Sequence, residues 1–320
     1  MSRRASSASL LALALLGAPS PAPACSICRC GDPTFNALGK QGYAARGFHA
    51  ALDWERFDKD EGDPAEESES QLENRFTALA SYGLGERFAL FARLPYSVRD
   101  LQASRAGQAA ETTQTHGFSD PEIYGQFRLW ASPASSGVGR RTSLSLVAGV
   151  KTPWGENDVQ QDGERVDEHA QPGTGSTDAF GSLALLHLID QHSTLFVSSG
   201  YRHTGENDQE YRYGSSFTAN LAYERKLSKL FDSVLELNFR HAQKDRAVPH
   251  HDDGEAAHNQ PMDDENTGGT LLYLTPRLLA DLGGGLVLRA SAQIPVARDL
   301  NGFQKERTVV NVGLSYQFSH

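Results

Sequence analysis

Residues 307–318 read Arg-Thr-Val-Val-Asn-Val-Gly-Leu-Ser-Tyr-Gln-Phe, and the alternation in this stretch decides the fold. Thr308, Val310, Val312, Leu314, Tyr316 and Phe318 fall on one side, while Arg307, Asn311, Gly313, Ser315 and Gln317 fall mostly on the other. A period of two belongs to a β-strand, whose successive side chains point to opposite faces. Residues 286–297 repeat it, with Leu288, Ala290, Ala292, Ile294 and Val296 on one face and Arg289, Ser291 and Gln293 on the other. The pattern recurs at 217–224 and 234–240, and the helix template fails almost everywhere from residue 43 onward.

Working outward, strands are expected at 43–57, 71–83, 86–99, 117–131, 141–153, 177–190, 193–204, 213–227, 230–242, 268–282, 285–298 and 307–318. The connections alternate in length. Short ones fall at Gly83-Leu84-Gly85, Asp190-Gln191-His192, Ser228-Lys229 and Gly283-Gly284, with a moderate one at 132–140. Long ones fall at 58–70, 100–116, 154–176, 205–212, 243–267 and 299–306. An even strand count, one set of short turns, one set of long loops and strands suited to a tilted crossing of about 9 to 11 residues together predict a transmembrane antiparallel up-and-down β-barrel. The chain is therefore read as all-β, a barrel of about 12 strands over residues 43–320. A soluble secreted β-protein would also alternate. Against it, no second sheet's worth of large core residues is apparent, and Trp54, Phe57, Phe88, Tyr96, Trp130, Trp154, Tyr201 and Tyr223 sit near strand ends, where interfacial aromatic girdles lie.

Composition narrows the function classes. The chain has 320 residues, 30 Lys+Arg and 40 Asp+Glu, for a net charge of -10. Its basic residues are dispersed among acids, which argues against nucleic acid as a partner. A spanning helix needs about 18 consecutive apolar residues, and the one apolar run, 10–16, is short. It follows Arg3 and Arg4 and precedes Ala22-Pro23-Ala24, so residues 1–24 read as a signal peptide, with Cys25 opening the mature chain. Losing that leader takes the net charge from -10 to -12, since it carries two arginines and no acid. Residues 25–42 then form an N-terminal, Cys-containing periplasmic segment.

The register that greases the outside also gathers charge within. Glu55, Arg75, Arg93, Glu122, Arg128, Lys151, Arg202, Glu224, Glu236, Arg240, Arg277 and Arg289 all fall on the inward face. Arg or Lys on the lipid side costs about 2 to 4 kcal/mol at the midplane. Two readings of the inward set stand side by side: a polar constriction that selects permeants, or a salt-bridge network that plugs and stiffens a narrow barrel.

Three cysteines, Cys25, Cys28 and Cys30, lie within six residues of one another. Thiolates in a C-x-x-C-x-C pattern suit a soft metal ion, the one cofactor this sequence points to. No His follows Cys28 or Cys30, which disfavours c-type haem. A disulfide or lipidation of Cys25 are the competing readings, and metal retention by the reduced protein in native mass spectrometry distinguishes them. The loop bearing His250, His251, Asp252, Asp253, His258, Asp263, Asp264 and Glu265 has metal-ligand residue types without fixed spacing and reads as a solvated acidic loop. Catalysis is not expected: the nearest Ser/His neighbours, His192-Ser193, fall in a short turn.

Four elements carry a family resemblance. Gly117-Phe118-Ser119-Asp120-Pro121, Gly149-Val150-Lys151-Thr152-Pro153-Trp154-Gly155, Gln171-Pro172-Gly173-Thr174-Gly175-Ser176 and Leu300-Asn301-Gly302 resemble the G-x-x-D, K-x-P-x-G, Q-P-G-T-G-S and D-L-N-G elements of outer-membrane barrels in the phenol meta-pathway transporter-like family. The resemblance spans roughly 70–318 and departs in one respect: Ser319 and His320 follow the terminal aromatic Phe318. It implies the outer membrane of a Gram-negative bacterium and a porin-like channel or transporter for small molecules, of hydrophobic or aromatic type. The implied partners are outer-membrane lipid and lipopolysaccharide, the barrel assembly machinery and a small-molecule permeant. The alternative is a non-conducting structural or interaction barrel whose Cys motif binds a soft metal or docks a periplasmic redox partner.

The inside/outside assignment is testable in one strand. Leu288→Arg puts a charge in lipid and is expected to cut assembly yield, read as heat-modifiable migration, far below that of Ser291→Arg, which faces the interior; equal yields would refute the assignment.

Overall fold

The computed structural model describes residues 47–63, 67–105, 110–135, 139–247, 262–263 and 267–318. The signal peptide 1–24, the segment 25–42, Cys25, Cys28 and Cys30, and most of the His/Asp-rich loop lie outside the described residues. The strands of the main sheet are β1 Gly47–Asp63, β2 Glu67–Leu84, β3 Phe88–Arg105, β4 Glu111–Phe118, β5 Glu122–Ala131, β6 Thr142–Lys151, β7 Asp178–Leu188, β8 Ser193–His203, β9 Ser216–Lys226, β10 Phe231–Ala242, β11 Gly269–Gly283, β12 Leu286–Leu300 and β13 Val309–Gln317. Each pairs antiparallel with its neighbour, and β1 pairs β13 from His49↔Gln317 to Arg56↔Val310, which closes the sheet. β4 and β5 share one place in the ring, because both pair with β3: β4 with its far half, β5 with its near half. The result is a closed barrel of twelve strand positions among the described residues, and a fold of the transmembrane outer-membrane type.

Closure follows from the solvent the strands must cross. Lipid offers no partner to a backbone N–H or C=O, so a sheet can span only when its last strand returns to its first. The side chains obey the same constraint. Leu288 (41% exposed), Val312 (39%), Leu314 (42%) and Tyr316 (39%) face out, while Arg289 (2%) and Ser291 (9%) face in.

Three differences from the sequence reading have local causes. The strand expected at 117–131 is broken at 119–121, where Pro121 cannot donate to a ladder. The loops expected at 58–70 and 100–116 are instead strand extensions: β1, β2 and β3 run 17, 18 and 18 residues. Against a crossing of about 9 to 11 residues, the overhang is about 7 residues, roughly 20 Å of hairpin beyond the membrane. A short strand, Gln304–Glu306, pairs with β1 in this overhang, inside the loop expected at 299–306. Finally, Phe57, assigned to the aromatic girdle, points inward, with the Arg75 guanidinium 4.8 Å above its ring. It shares the parity of Asp53 and Glu55, and parity outranks residue type.

Within the barrel wall the strands approach closely at Gly149, on β6 opposite Tyr124 of β5. A Cβ there would lie 2.3 Å from Tyr124 Cβ and 2.5 Å from the Ile123 carbonyl oxygen, so only glycine fits. The Tyr124 ring stacks on Phe91, centroids 4.8 Å apart. Gly149→Ala is expected to cost about 1 to 3 kcal/mol by overpacking, lowering the temperature at which heat-modifiable migration is lost; an unchanged temperature would count against the close approach.

Candidate functional site

The cross-strand register writes a row of alternating charge across one wall of the lumen. Arg93 on β3 lies opposite Glu122 on β5, Glu122 opposite Lys151 on β6, and Lys151 opposite Asp178 on β7. Their side chains join with Arg202 of β8 and Asp120 into a continuous chain. Arg93 Nη1 is 2.5 Å from Glu122 Oε2, Arg202 Nη2 is 2.7 Å from Glu122 Oε1, and Arg202 Nη1 is 3.5 Å from Asp178 Oδ2. Lys151 Nζ then stands 3.3 Å from Asp178 Oδ2 and 3.0 Å from Asp120 Oδ2. Three cations face three carboxylates in this chain, so the wall carries dipoles rather than net charge. Burial of such groups is tolerable only when each is paired and hydrogen-bonded.

Asp120 is where the sequence motifs converge. Its Oδ1 accepts from Gly155 N (2.9 Å), and its Oδ2 accepts from Thr174 N (2.7 Å), Thr174 Oγ1 (2.6 Å) and Lys151 Nζ. Lys151 also donates to Thr174 Oγ1 and, at 3.1 Å, to Ser176 Oγ. Three motif segments far apart in sequence thus share one carboxylate. Their glycines are required by proximity: a Cβ on Gly155 would lie 2.6 Å from Asp120 N, and one on Gly173 2.8 Å from the Gly155 backbone.

The remaining inward charges sit in smaller groups. Glu73 is shared by Arg75 (2.7 Å) and Arg99 (3.3 Å) and accepts from Ser97. On the opposite wall Arg277 pairs with Glu236 at 2.8 Å and Arg289 with Asp53 at 2.6 Å. Asn220, Asn238 and Thr275 link there by amide and hydroxyl bonds, and Tyr273 donates to Glu306. Glu224 and Arg240 are buried on the inner face, and Glu55 is half-buried on it. Arg128 stands apart at the short-turn end, bonded to the Glu86 carbonyl. Of the expected lumen residues, the structure gathers Arg93, Glu122, Lys151 and Arg202 into one chain and distributes the others. Of the residues missed, Asp53, Glu73 and Arg99 share the parity of named residues on their own strands, Glu55, Arg75 and Arg93, and Asp178, on a strand with no named residue, is marked only by its pairing with Lys151. Asp120 has the parity of Glu122 within the strand expected at 117–131, whereas Asp245, off the strands, has no periodic signal to reveal it.

Toward the short turns the interior changes character. Ala51, Leu79, Phe91, Tyr124 and Val147 form one buried cluster; Ala184, Leu186, Phe196, Ala222 and Val234 form another. These inward side chains line the lower strands, so the expectation that the chain lacked large core residues is corrected. In Leu183-Ala184-Leu185-Leu186 both faces are apolar, and alternation gives no sign of which one faces in. Above this floor lies a cavity of about 1320 Å³, counting the part open to solvent, bordered by the charge chain, Phe180, Tyr213 and Asn220.

The long loops roof the cavity. Residues 168–170 form a single 3-10 turn. Its carbonyls are held by the barrel wall: Arg99 Nη1 donates to His169 O (2.8 Å) and to Gln171 O, Gln71 Nε2 to His169 O (3.2 Å), and Thr115 Oγ1 to Ala170 O (2.5 Å). The Gln171 side chain spans Val159 and Val166, and Asn207 Nδ2 donates to Thr174 O at 3.0 Å. Partial burial pushes Asp167 up, but bonds from His169 outweigh it and hold the carboxyl at about 2. Burial pushes the Tyr213 phenol well above its ordinary value, so it remains an O–H donor, to Glu168 O at 2.8 Å. At the other end, Ser193 Oγ is engaged by Arg225 (2.9 Å) and Tyr223 (3.3 Å).

Fold and interior together define a transmembrane β-barrel with an apolar floor, a charge-balanced chamber and a roof of folded-in loops. Residues 71–294 match the family described as "Putative MetA-pathway of phenol degradation", and the chain belongs to that family. No curated protein matches it. Among solved structures it is similar to an outer membrane channel from Pseudomonas putida F1, at a TM-score of 0.61 and 12% identity over 86% of this chain and 98% of that one. A looser likeness is to the translocator domain of the autotransporter NalP from Neisseria meningitidis, at a TM-score of 0.46 and 9% identity over 89% and 93% of the two chains.

Asp120→Asn halves the acceptor capacity at the node where the motifs meet. Each buried donor left unmet costs about 1 to 3 kcal/mol. Proteolysis of residues 152–177 in the membrane-embedded variant is expected to quicken roughly tenfold while the barrel itself stays resistant; cleavage at the parental rate would remove Asp120 as the anchor.

Proposed function

We propose that the protein is an outer-membrane channel for small, uncharged and partly apolar molecules, with its long loops at the cell surface and its short turns in the periplasm. The apolar floor beneath a charge-balanced chamber carries this reading. The charge chain presents an ion with no excess of either sign, and below it Leu79, Phe91, Leu186 and Phe196 offer nothing in place of the water an ion would shed. Apolar constrictions exclude ions by dewetting, whereas a neutral solute with an apolar body loses far less. Phe180 and Tyr213 border the cavity beside the Arg202 guanidinium, which lies 4.8 Å from the Phe180 ring and offers a flat face to an aromatic solute. The likeness to the Pseudomonas putida channel supports the reading, as does the family's description. Outer-membrane lipid, lipopolysaccharide and the assembly machinery are the partners such a barrel requires.

The reading predicts a dissociation between ions and neutral solutes. Reconstituted wild-type protein is expected to pass little ionic current in planar bilayers while speeding uptake of small neutral aromatics into liposomes. Phe91→Ala with Phe196→Ala is expected to raise single-channel conductance several-fold. Absence of both current and uptake in wild type and variant alike would favour the non-conducting barrel that docks a periplasmic partner through its Cys segment.

A further inference from the structure

One group in the roof has no part in the charge chain and no equivalent in the wall. His169 lies at the meeting point of three loops, buried, with both ring nitrogens engaged. Nδ1 stands 3.1 Å from Asp167 Oδ1, and Nε2 stands 3.4 Å from Asp245 Oδ2 and 3.1 Å from Tyr211 Oη. The Tyr211 hydroxyl has a single proton, and it donates that proton to Asp245 Oδ2 at 2.8 Å. Toward His169 it is therefore an acceptor. A carboxylate thus stands beside each ring nitrogen, Asp167 at Nδ1 and Asp245 at Nε2, and two such neighbours favour a proton on both, that is, an imidazolium.

Asp245 is fixed independently of the histidine. Its Oδ1 accepts from Gly214 N at 2.7 Å, and its backbone N donates to Thr267 Oγ1 at 2.9 Å. Thr267 O in turn accepts from Asn301 Nδ2 at 2.6 Å. His169 thus ties the 3-10 turn to the loop that joins β8 to β9, through Tyr211, and to the loop that joins β10 to β11, through Asp245. The surrounding charges are mixed: Glu168 belongs to the same turn, Arg99 reaches the His169 carbonyl from β3, and Lys59 of β1 acts on Asp167. Tyr213 packs edge-on at 6.2 Å between centroids and Tyr211 at 5.8 Å. Thr115 and Gln71 contribute only neutral bonds to the turn's carbonyls.

We propose that segment 168–171 is a pH-responsive latch over the lumen, shut while His169 is doubly protonated between Asp167 and Asp245 and released when the ring loses a proton. The sign follows from the geometry. The shut state binds the extra proton and the open state exposes the ring to water, so latch strength is full at pH below the range of a free imidazole, about 6.5, and is lost as pH rises above that range. The acid limb lies far away. Asp167 keeps its charge down to about 2, so its contribution is present above the ordinary carboxylate range and is lost only as pH falls toward that value. Losing a charge-assisted hydrogen bond shifts an opening equilibrium by roughly tenfold or more.

Hydrogen exchange of the backbone over residues 157–174, in the full chain reconstituted in lipid, reads the latch without relying on transport. After correction for intrinsic exchange, protection is expected to fall roughly tenfold or more between about pH 5.5 and 8.5, and His169→Gln is expected to give low protection at both. Asp167→Asn, at an exposed position where the amide oxygen still accepts from His169 N to cap the turn, is expected to move the midpoint to lower pH. Protection independent of pH in the parent, or an unchanged pH response in His169→Gln or Asp167→Asn, would overturn the latch. Its effect on permeation rests on the channel reading, which the same samples test separately. Solute uptake that rises with pH supports both. A pH-dependent exchange with no uptake at any pH would remove the channel and leave the latch standing.

Discussion

Everything in this molecule depends on the absence of water between its strands and the lipid. A backbone N–H or C=O left unpaired in hydrocarbon costs several kcal/mol, so β1 must meet β13, and the seam from His49↔Gln317 to Arg56↔Val310 is the condition for crossing at all. Closure then sorts the side chains. Once one face of each strand is committed to lipid, the other face receives what lipid refuses, and the interior inherits its charges from parity rather than from a dedicated site.

That inheritance explains the order within the lumen. Because Arg93, Glu122, Lys151 and Asp178 occupy one row of cross-strand neighbours, pairing register alone makes their signs alternate. The motif segments exploit the row: Asp120 and Thr174 extend it upward from the wall into the loops, and Arg99 binds the turn that closes the top. Below, where the strands turn apolar on both faces, the same parity fills the lumen with Phe91 and Phe196. Polar chamber and apolar floor are two regimes of one alternating pattern.

Much of this was legible in residue order, and the rest was not, for identifiable reasons. Residues 307–318 announced strand, parity and lipid face together, and nine of the twelve charges named as inward are buried. Asp53 and Glu73 obey that parity as well, each two residues before a named charge, Glu55 and Arg75. Phe57 was misassigned because an aromatic near a strand end looks like a girdle until its parity is counted. The overhang of β1 to β4 was hidden, since polar residues on both faces of a strand outside the membrane resemble a loop. The roof was invisible: contacts such as His169 to Asp245 join segments 76 residues apart with no period to betray them.

The ion pair between Arg289 and Asp53 joins strands that are not neighbours. It reaches from β12 to β1 past Gly313 of β13, where a Cβ would lie 2.0 Å from the Asp53 carboxylate and 2.5 Å from the Arg289 guanidinium. The partners are 236 residues apart, and the entropy of closing so long a loop is on the order of 5 kcal/mol. Such a clasp cannot fasten early. It must wait until the final strand has been laid between the first and the penultimate, and a side chain at Gly313 would keep the fastener from meeting. The pair therefore marks completion: it forms only in a chain delivered whole, and a truncated product lacking its last strand would present two unmatched halves of the clasp, a chemical difference between finished and unfinished barrels written into the interior.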